Sequence, residues 1–315
     1  MTSGRIIFFG TSQVAIPFLS QLRIHFDISL IITQPDATGG RCRQVICPPV
    51  KSFAQLHEIP LEQPEGFKNQ AFMDKLKAIN PDIGVVIGYG KLIPERLFTL
   101  PRLNTVNVHF SLLPLYRGAA PVQRTLEKGE TSTGISIFEI SKKMDTGPIW
   151  SRKAFNILPT DTTETLMDRL SQEGAPLLVE ILNNIFQQKI KKQPQDHTRA
   201  TYAPAIHKQE GRVDWNQSAT QIFNKHRAFT PWPGLFFSLN NRTIKIKKIS
   251  PPDINSSSAP ECKQPGEILT LDRSSLEVCC GNQTILKIEK FQPEGKKPMT
   301  PYCFSLGNPL PEKLN

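Results

Sequence analysis

An asparagine and a histidine two positions apart are the first residues of this chain whose spacing suggests chemistry. They are Asn107 and His109, in the segment NVHFSLLP (107–114). On a β-strand, side chains two positions apart point to the same face, so both can reach one reacting group. Imidazole can take or give a proton near neutral pH, and an amide N–H can stabilise an oxyanion. The pair therefore predicts acyl transfer to an amine, with no nucleophilic serine or cysteine.

A carboxylate that orients and polarises the imidazole is also needed. Asp145, in the segment MDTG, is the candidate because it lies on the loop of a predicted hairpin. Each residue alone has an ordinary interpretation: a histidine at a strand end is often only hydrogen-bonded, and Asp before Thr-Gly is a common turn. The combination of the three favours a catalytic site.

Short apolar runs alternate with helical patterns in the first half of the chain. They predict strands over residues 5–9, 27–33, 81–90 and 104–109, and a hairpin at the sheet edge over 133–155. Such alternation is typical of an α/β domain with a mostly parallel sheet covered on both faces. Ligands bind at the carboxyl ends of such strands, where residues 10–12, 88–90 and 107–109 would meet. The first loop, GTSQ, has no G-x-G-x-x-G pattern, which disfavours a dinucleotide.

The length of 315 residues favours two domains. Residues 1–188 would form the catalytic domain, which ends with a long helix opened by a capping box of Asp161 and Glu164. Residues 189–206 are polar and contain prolines, which is typical of a linker. Residues 207–315 hold several short strands between turns, which predict a small β-barrel.

Composition limits the class of protein. Hydrophobic residues make up 38% and charged residues 21%, and no apolar run is long enough to cross a membrane, so we expect a cytoplasmic protein. We take it to be a monomer, which no sequence feature tests. The six cysteines form no CxxC pair, which predicts free thiols and no metal site. Residues 191–315 carry 18 Lys and Arg against 11 Asp and Glu. This excess suggests a polyanionic partner such as nucleic acid.

The segment NVHFSLLPLYRGAAPVQR, followed by DTG, resembles the core signature of the folate-dependent formyltransferases. RIIFFGTSQVA, GYGKLIP, GRVDW, AFTPWPG and FQPEGKKPM extend the resemblance along nearly the whole chain, to the branch that formylates methionyl-tRNA. The resemblance implies a Rossmann-like catalytic domain and an OB-like C-terminal barrel. It also implies 10-formyltetrahydrofolate as formyl donor, initiator Met-tRNA as acceptor and no metal.

The same resemblance implies roles for single residues. The catalytic group would comprise Asn107, His109, Asp145 and a supporting Ser111. The residues that bind folate would be Gly88, Tyr89, Gly90, Lys91, Leu92, Ser111, Leu112, Leu113 and Pro114. The residues that contact tRNA would be Arg41, Arg43, Lys208, Lys245, Lys247 and Lys248.

The predicted tRNA contacts also have ordinary structural interpretations. The loop with Arg41 could be a solvated basic loop, and lysines alternating along residues 242–250 could protect a sheet edge. Trp215 and Trp232 are expected to pack rather than to stack on bases.

Several positions depart from the family pattern: Phe110, Leu115 and Cys42, and the segment AIHK (205–208), which keeps Lys208 but lacks the second of two usual lysines. Phe110 would narrow the pocket or shift the backbone beside His109. Two other functions stay open at this point. One is formyl transfer to a sugar nucleotide or another small amine, and the other is RNA binding without catalysis, which would need no intact catalytic group.

Overall fold

The computed structural model describes residues 4–39, 44–252 and 262–314. Arg41, Cys42 and Arg43 lie outside the described residues. The strands are β1 (Arg5–Gly10), β2 (Asp27–Ile32), β3 (Ala37–Gly39), β4 (Gln44–Ile46), β5 (Leu61–Glu62), β6 (Ile83–Ile87), β7 (Thr105–His109), β8 (Ser132–Glu139), β9 (Ile149–Asn156), β10 (Leu235–Leu239), β11 (Arg242–Ile249), β12 (Ile268–Leu271), β13 (Leu276–Cys280) and β14 (Thr284–Pro293). The helices are α1 (Ile16–His25), α2 (Pro49–Leu56), α3 (Gln70–Ile79), α4 (Glu95–Phe98), α5 (Pro121–Glu127), α6 (Thr163–Phe186), α7 (Ala219–Ala228) and α8 (Pro301–Ser305).

The chain divides into two compact units. Unit 1 comprises Met1–Pro121, Ser132–Asn156 and Met167–Pro204. Unit 2 comprises Val122–Thr131, Ile157–Leu166 and Ala205–Asn315. The division of the sequence at residues 188 and 206 stays a prediction.

Unit 1 contains a seven-stranded sheet in the order β5-β2-β1-β6-β7-β8-β9. The strands from β5 to β7 pair in parallel, and β8 pairs antiparallel with β7 and with β9. All five residues of β6 are buried, as expected for a strand covered on both faces. The predicted α/β domain with a mostly parallel sheet and a hairpin at its edge is confirmed.

The start of α6 differs from the prediction. The reciprocal bonds join Thr162 and Thr165: the Thr165 backbone N–H donates to Thr162 Oγ1 at 3.3 Å, and the Thr162 N–H donates to Thr165 Oγ1 at 2.9 Å. The Asp161 carboxylate instead accepts the Leu158 N–H at 2.7 Å. The predicted capping box of Asp161 and Glu164 is therefore wrong by one residue, because the Asp161 side chain closes the preceding turn.

Unit 2 contains a five-stranded antiparallel sheet in the order β10-β11-β14-β13-β12. Its core includes Phe237, whose ring meets that of Phe291 at 5.3 Å and that of Trp215 at 6.0 Å. The architecture is that of the predicted small β-barrel. β11 pairs with strands on both sides, so protection of a sheet edge does not explain its lysines.

The cysteines depart from the prediction. Cys262 and Cys279 form a disulfide, whereas Cys47, Cys280 and Cys303 are free. The expectation of six free thiols is wrong for this pair, because β13 brings Cys279 within 5.7 Å, Cα to Cα, of a residue 17 positions away. Sequence spacing does not reveal such a pairing.

Within the described part of the chain, no helix is long and apolar enough to cross a membrane.

Candidate active site

Strand β7 ends at His109, and its side chains Asn107 and His109 share one face of the sheet. Asn107 is half-buried, and among the described residues its amide makes no hydrogen bond. An amide with free donors at the carboxyl end of a parallel strand lies where such sheets bind ligands. The residue is therefore available to a bound substrate.

The tautomer of the neutral His109 ring follows from one contact. Nε2 lies 2.8 Å from the backbone carbonyl oxygen of Tyr116. A carbonyl oxygen only accepts, so Nε2 is the nitrogen that has the hydrogen. In the neutral ring, Nδ1 then has a free lone pair, and the Tyr116 carbonyl fixes the plane of the imidazole.

Asp145 approaches the other nitrogen of this ring. Its Oδ2 lies 3.8 Å from His109 Nδ1, and both side chains are about nine-tenths buried, with 10% and 7% of their surfaces exposed. The same oxygen accepts the backbone N–H of Gly118 at 2.7 Å. The carboxylate is therefore held by the backbone, at a distance from which its charge would stabilise a protonated imidazole.

The turn after β7 is held by two serines. Ser111 is fully buried, and its Oγ donates to the Leu115 carbonyl at 2.6 Å. Ser136 Oγ donates to the Ser111 carbonyl at 2.7 Å and accepts the Leu113 N–H at 2.9 Å. Ser111 thus shapes the backbone behind the site. Ser136 does the same from β8, although no motif in the sequence marks it.

The neighbouring Phe110 is buried and packs its ring against Phe18 of α1, at 6.4 Å between centroids. The core of unit 1 therefore accommodates the phenylalanine side chain at position 110.

The loop after β6 contains the residues expected to bind folate. Tyr89 is a core residue: its ring packs on Phe9, and burial raises the pKa of its phenol to about 12. Its carbonyl is already occupied by Gln34 Nε2 at 2.6 Å and Thr11 Oγ1 at 3.0 Å. The carbonyl of Gly88 accepts the Thr11 N–H at 3.2 Å.

The next three residues of this loop are exposed and, within the described part of the chain, unpaired. Gly90, Lys91 and Leu92 are exposed, and their peptide groups make no hydrogen bond to another described residue. The free backbone of this loop therefore lies at residues 90–92 rather than at 88–89. Leu113 and Pro114 are buried, and Leu112 is half-buried.

The predicted tRNA contacts in unit 2 are surface lysines. Lys208, Lys245 and Lys247 are exposed, and no ion pair involves them within the described ranges. Lys248 is exposed too, but its ammonium pairs with Glu289 at 2.5 Å. Lys245 and Lys247 are thus freer than Lys248 to meet phosphates.

The two tryptophans behave differently. Trp215 is 5% exposed and packs as predicted. Trp232 is 58% exposed, so its predicted packing is wrong. The turn before β10 directs this indole to solvent.

Several residues of the site have no recognisable signal in the sequence. Tyr116 contributes only its carbonyl, and Gly118 only its N–H, so side-chain chemistry could not identify them. Gln195 donates to the carbonyls of Asp145 and Gly147, and Arg117 binds Gln195. The pairs with Gln195 join positions at least 48 residues apart.

Comparison with known proteins bears on the chemistry of this site. Residues 4–182 match the Formyl transferase family, and residues 205–309 match the Formyl transferase, C-terminal domain family. The chain belongs to the formyl transferase family. As a formyl transferase, it is an enzyme, and His109 and Asp145 both lie within the matched residues 4–182.

Two curated relatives are both named methionyl-tRNA formyltransferase. That of Geobacter metallireducens is 37% identical over 98% of this chain and 96% of its own length. That of Nitrosomonas europaea is 40% identical over 97% of this chain and 94% of its own length.

A solved structure shares the fold of this formyl transferase. The N-formyltransferase from Helicobacter canadensis, solved with folinic acid and dTDP-3-aminofucose, is 15% identical and has a TM-score of 0.66. The match covers 91% of this chain and 99% of that chain. At this identity the likeness shows the fold alone.

Proposed function

We propose that this enzyme transfers the formyl group of 10-formyltetrahydrofolate to the α-amino group of methionine on initiator tRNA. The observation that supports it best is the buried His109 and Asp145 pair at the end of β7, in a chain that matches methionyl-tRNA formyltransferases over nearly its full length. The formyl donor is a substrate in this reaction, and no metal takes part in the proposed steps.

The reaction begins when the amine nitrogen attacks the formyl carbon. Asn107 donates its amide N–H to the oxyanion that forms. His109 Nδ1, which has the free lone pair, accepts the proton that the amine loses. The Asp145 carboxylate stabilises the resulting imidazolium by its charge. As the bond from carbon to N10 of the folate breaks, His109 returns the proton to that nitrogen.

The formyl donor would lie against the loop after β6. The unpaired peptide groups of Gly90, Lys91 and Leu92 can form hydrogen bonds with the polar edge of the formyl donor's heterocycle. Glycine at position 90 permits the heterocycle to approach the backbone closely. Leu112, Leu113 and Pro114, on the turn held by Ser111 and Ser136, would form the apolar wall on the other side. Tyr89 is buried in the core, so it would support this apolar wall only indirectly.

The tRNA would meet the basic surface of unit 2. Lys208, Lys245 and Lys247 are proposed phosphate contacts, and Lys248 is a weaker candidate because of Glu289. Arg41 and Arg43 keep the predicted role at the acceptor end. Lys245→Ala should reduce the slope of log affinity against log salt concentration by about 1.

The deciding experiment measures formyl transfer from 10-formyltetrahydrofolate to three acceptors in parallel: initiator Met-tRNA, elongator Met-tRNA and a UDP-linked amino sugar. We expect transfer to initiator Met-tRNA. His109→Ala should lower turnover by about 10²- to 10⁴-fold and leave tRNA affinity unchanged. Transfer to the sugar alone would overturn the proposal, and near-normal turnover by His109→Ala would overturn the mechanism.

The enzyme is further proposed to act as a cytoplasmic monomer. Light scattering on the purified protein, with and without tRNA, tests the oligomeric state.

A further inference from the structure

Residues 193–203, here called the 193–203 segment, lie against the active site within unit 1. Gln195 is only 7% exposed although most of its neighbours are exposed. Its Nε2 donates to the backbone carbonyl of Asp145 at 2.9 Å and to that of Gly147 at 2.7 Å. One side chain therefore binds both sides of the turn that presents the Asp145 carboxylate.

Arg117 fixes the other end of this amide. Its Nη2 donates to Gln195 Oε1 at 2.7 Å and contacts His197 Nδ1 at 2.8 Å. Arg117 is 4% exposed. Because the guanidinium can only donate, it sets the orientation of the Gln195 amide: Oε1 faces Arg117, and Nε2 faces the Asp145 turn.

The same segment holds the loop that supports His109. Thr201 Oγ1 accepts the Tyr116 N–H at 2.8 Å, and the Thr201 carbonyl accepts the Arg117 N–H at 2.9 Å. The Arg117 carbonyl accepts the Ala203 N–H at 2.7 Å. The carbonyl of this Tyr116 is the partner of His109 Nε2.

The two groups that flank the His109 ring are thus tied to one stretch of chain. The turn of Asp145 is bound by Gln195, and the loop from Tyr116 to Gly118 is bound by Thr201 and Ala203. Burial of a polar side chain costs free energy unless its polar atoms are hydrogen-bonded. Both polar atoms of the Gln195 amide group have such partners.

We propose that Gln195 is a positioning residue for the formyl transfer reaction. Through its two N–H donors it fixes the turn of Asp145, so that the carboxylate stays near His109 Nδ1 and stabilises the imidazolium. This inference rests on the proposed function, because it acts only through the roles of Asp145 and His109.

Two substitutions separate the donor atoms from the acceptor atom of Gln195. Gln195→Met has similar length, no polar donor and no charge. Gln195→Glu keeps an acceptor for Arg117 but loses both donors to the Asp145 turn. Gln193→Glu makes the same chemical change at an exposed position of the same segment and is the matched control.

We expect Gln195→Met and Gln195→Glu each to lower kcat by about tenfold to a hundredfold, because small displacements of catalytic groups have costs of this size. The KM values for tRNA and for the formyl donor should change by less than about twofold, since the Gln195 amide is buried and its polar atoms are paired within the protein. Gln193→Glu should match the wild type.

A double-mutant cycle with Asp145→Asn decides between the outcomes. In the Asp145→Asn background, Gln195→Met should lower kcat little further, because the carboxylate that Gln195 positions is absent. An equal loss in both backgrounds, or a wild-type kcat in Gln195→Glu, would overturn the positioning role. If Asp145→Asn alone retains full activity, the proposed mechanism fails instead, so the two failures are distinguishable. Thermal unfolding of each variant identifies any variant that is not folded, and Gln195→Glu then replaces Gln195→Met in the cycle.

Discussion

Oδ2 of Asp145 lies 3.8 Å from Nδ1 of His109, yet it accepts the backbone N–H of Gly118 at 2.7 Å. The histidine is therefore not what holds the carboxylate in place. His109 is held by the Tyr116 carbonyl, and Asp145 by the Gly118 amide, so each partner has its own backbone anchor. The carboxylate would act on the ring through its charge across this gap.

Asp145→Asn separates charge from shape. The amide oxygen can still accept the Gly118 N–H, so the fold should be retained, whereas the negative charge near Nδ1 is lost. We expect turnover to fall by about 10²-fold or more, because the imidazolium loses its stabilising carboxylate. Single-turnover formyl transfer measures the chemical step. Asp168→Asn, at an exposed position of α6, is the control and should retain full activity. Equal rates in the two variants would exclude a role for the Asp145 charge.

Gly118→Ala tests the anchor of the carboxylate. Gly118 has φ of +124°, and a Cβ there would lie 2.5 Å from the Ala203 carbonyl oxygen. We expect a loss of about 1–3 kcal/mol in the free energy of unfolding, because both the backbone and its neighbour must shift. Activity should fall as well, since the Gly118 N–H moves away from Asp145. Urea unfolding and formyl transfer are the measurements.

Gly66→Ala is the matched control. No atom lies within 4 Å of a Cβ at this position, so the change should stay within about 0.5 kcal/mol. A Gly118→Ala protein as stable as Gly66→Ala would contradict the close contact with Ala203.

His226 makes stability depend on pH. Burial, with the nearby charge of Lys247, lowers the pKa of His226 to about 4, from its ordinary value of 6.5. The unfolded chain therefore binds a proton between pH 6.5 and pH 4 that the folded chain does not, so stability decreases as the pH falls through this range. The loss is at most about 3 kcal/mol.

Urea unfolding of His226→Gln should show a shallower decrease between these two pH values than the wild type. His25→Gln, at an exposed position, serves for comparison and should keep the wild-type decrease. An unchanged pH dependence in His226→Gln would show that other groups cause it.

The disulfide between Cys262 and Cys279 predicts a distinct thiol pattern. Peptide mapping without reductant should recover these two cysteines crosslinked. Cys47 and Cys303 are exposed and should react rapidly with a thiol reagent. Burial raises the pKa of the Cys280 thiol to about 12, so this thiol should react only on unfolding.

Cys262→Ser should lower the free energy of unfolding by about 3 kcal/mol, because the bond closes a loop between residues 17 positions apart. Cys303→Ser, which removes a free thiol, should have little effect. Six reactive thiols in the denatured, unreduced protein would rule the disulfide out.

Much of the architecture follows from local patterns in the sequence. The apolar runs of β1, β6 and β7 predicted a parallel sheet, because strands covered on both faces need apolar side chains throughout. The two-residue period of a strand is enough to predict that Asn107 and His109 share one face. The hairpin pattern put Asp145 on a loop at the sheet edge.

The partners of these residues could not be predicted in this way. Gln195 lies in a polar segment that contains prolines, whose composition is typical of a linker, and its burial depends on Arg117, which lies 78 positions away. The disulfide, the interior position of β11 and the exposure of Trp232 likewise depend on which segments meet. The sequence by itself determined which side chains can do the chemistry, because residue type and strand period are local. Only the tertiary structure decided what holds them, because the N–H of Gly118, the carbonyl of Tyr116 and the amide of Gln195 gain their roles from contacts between distant parts of the chain.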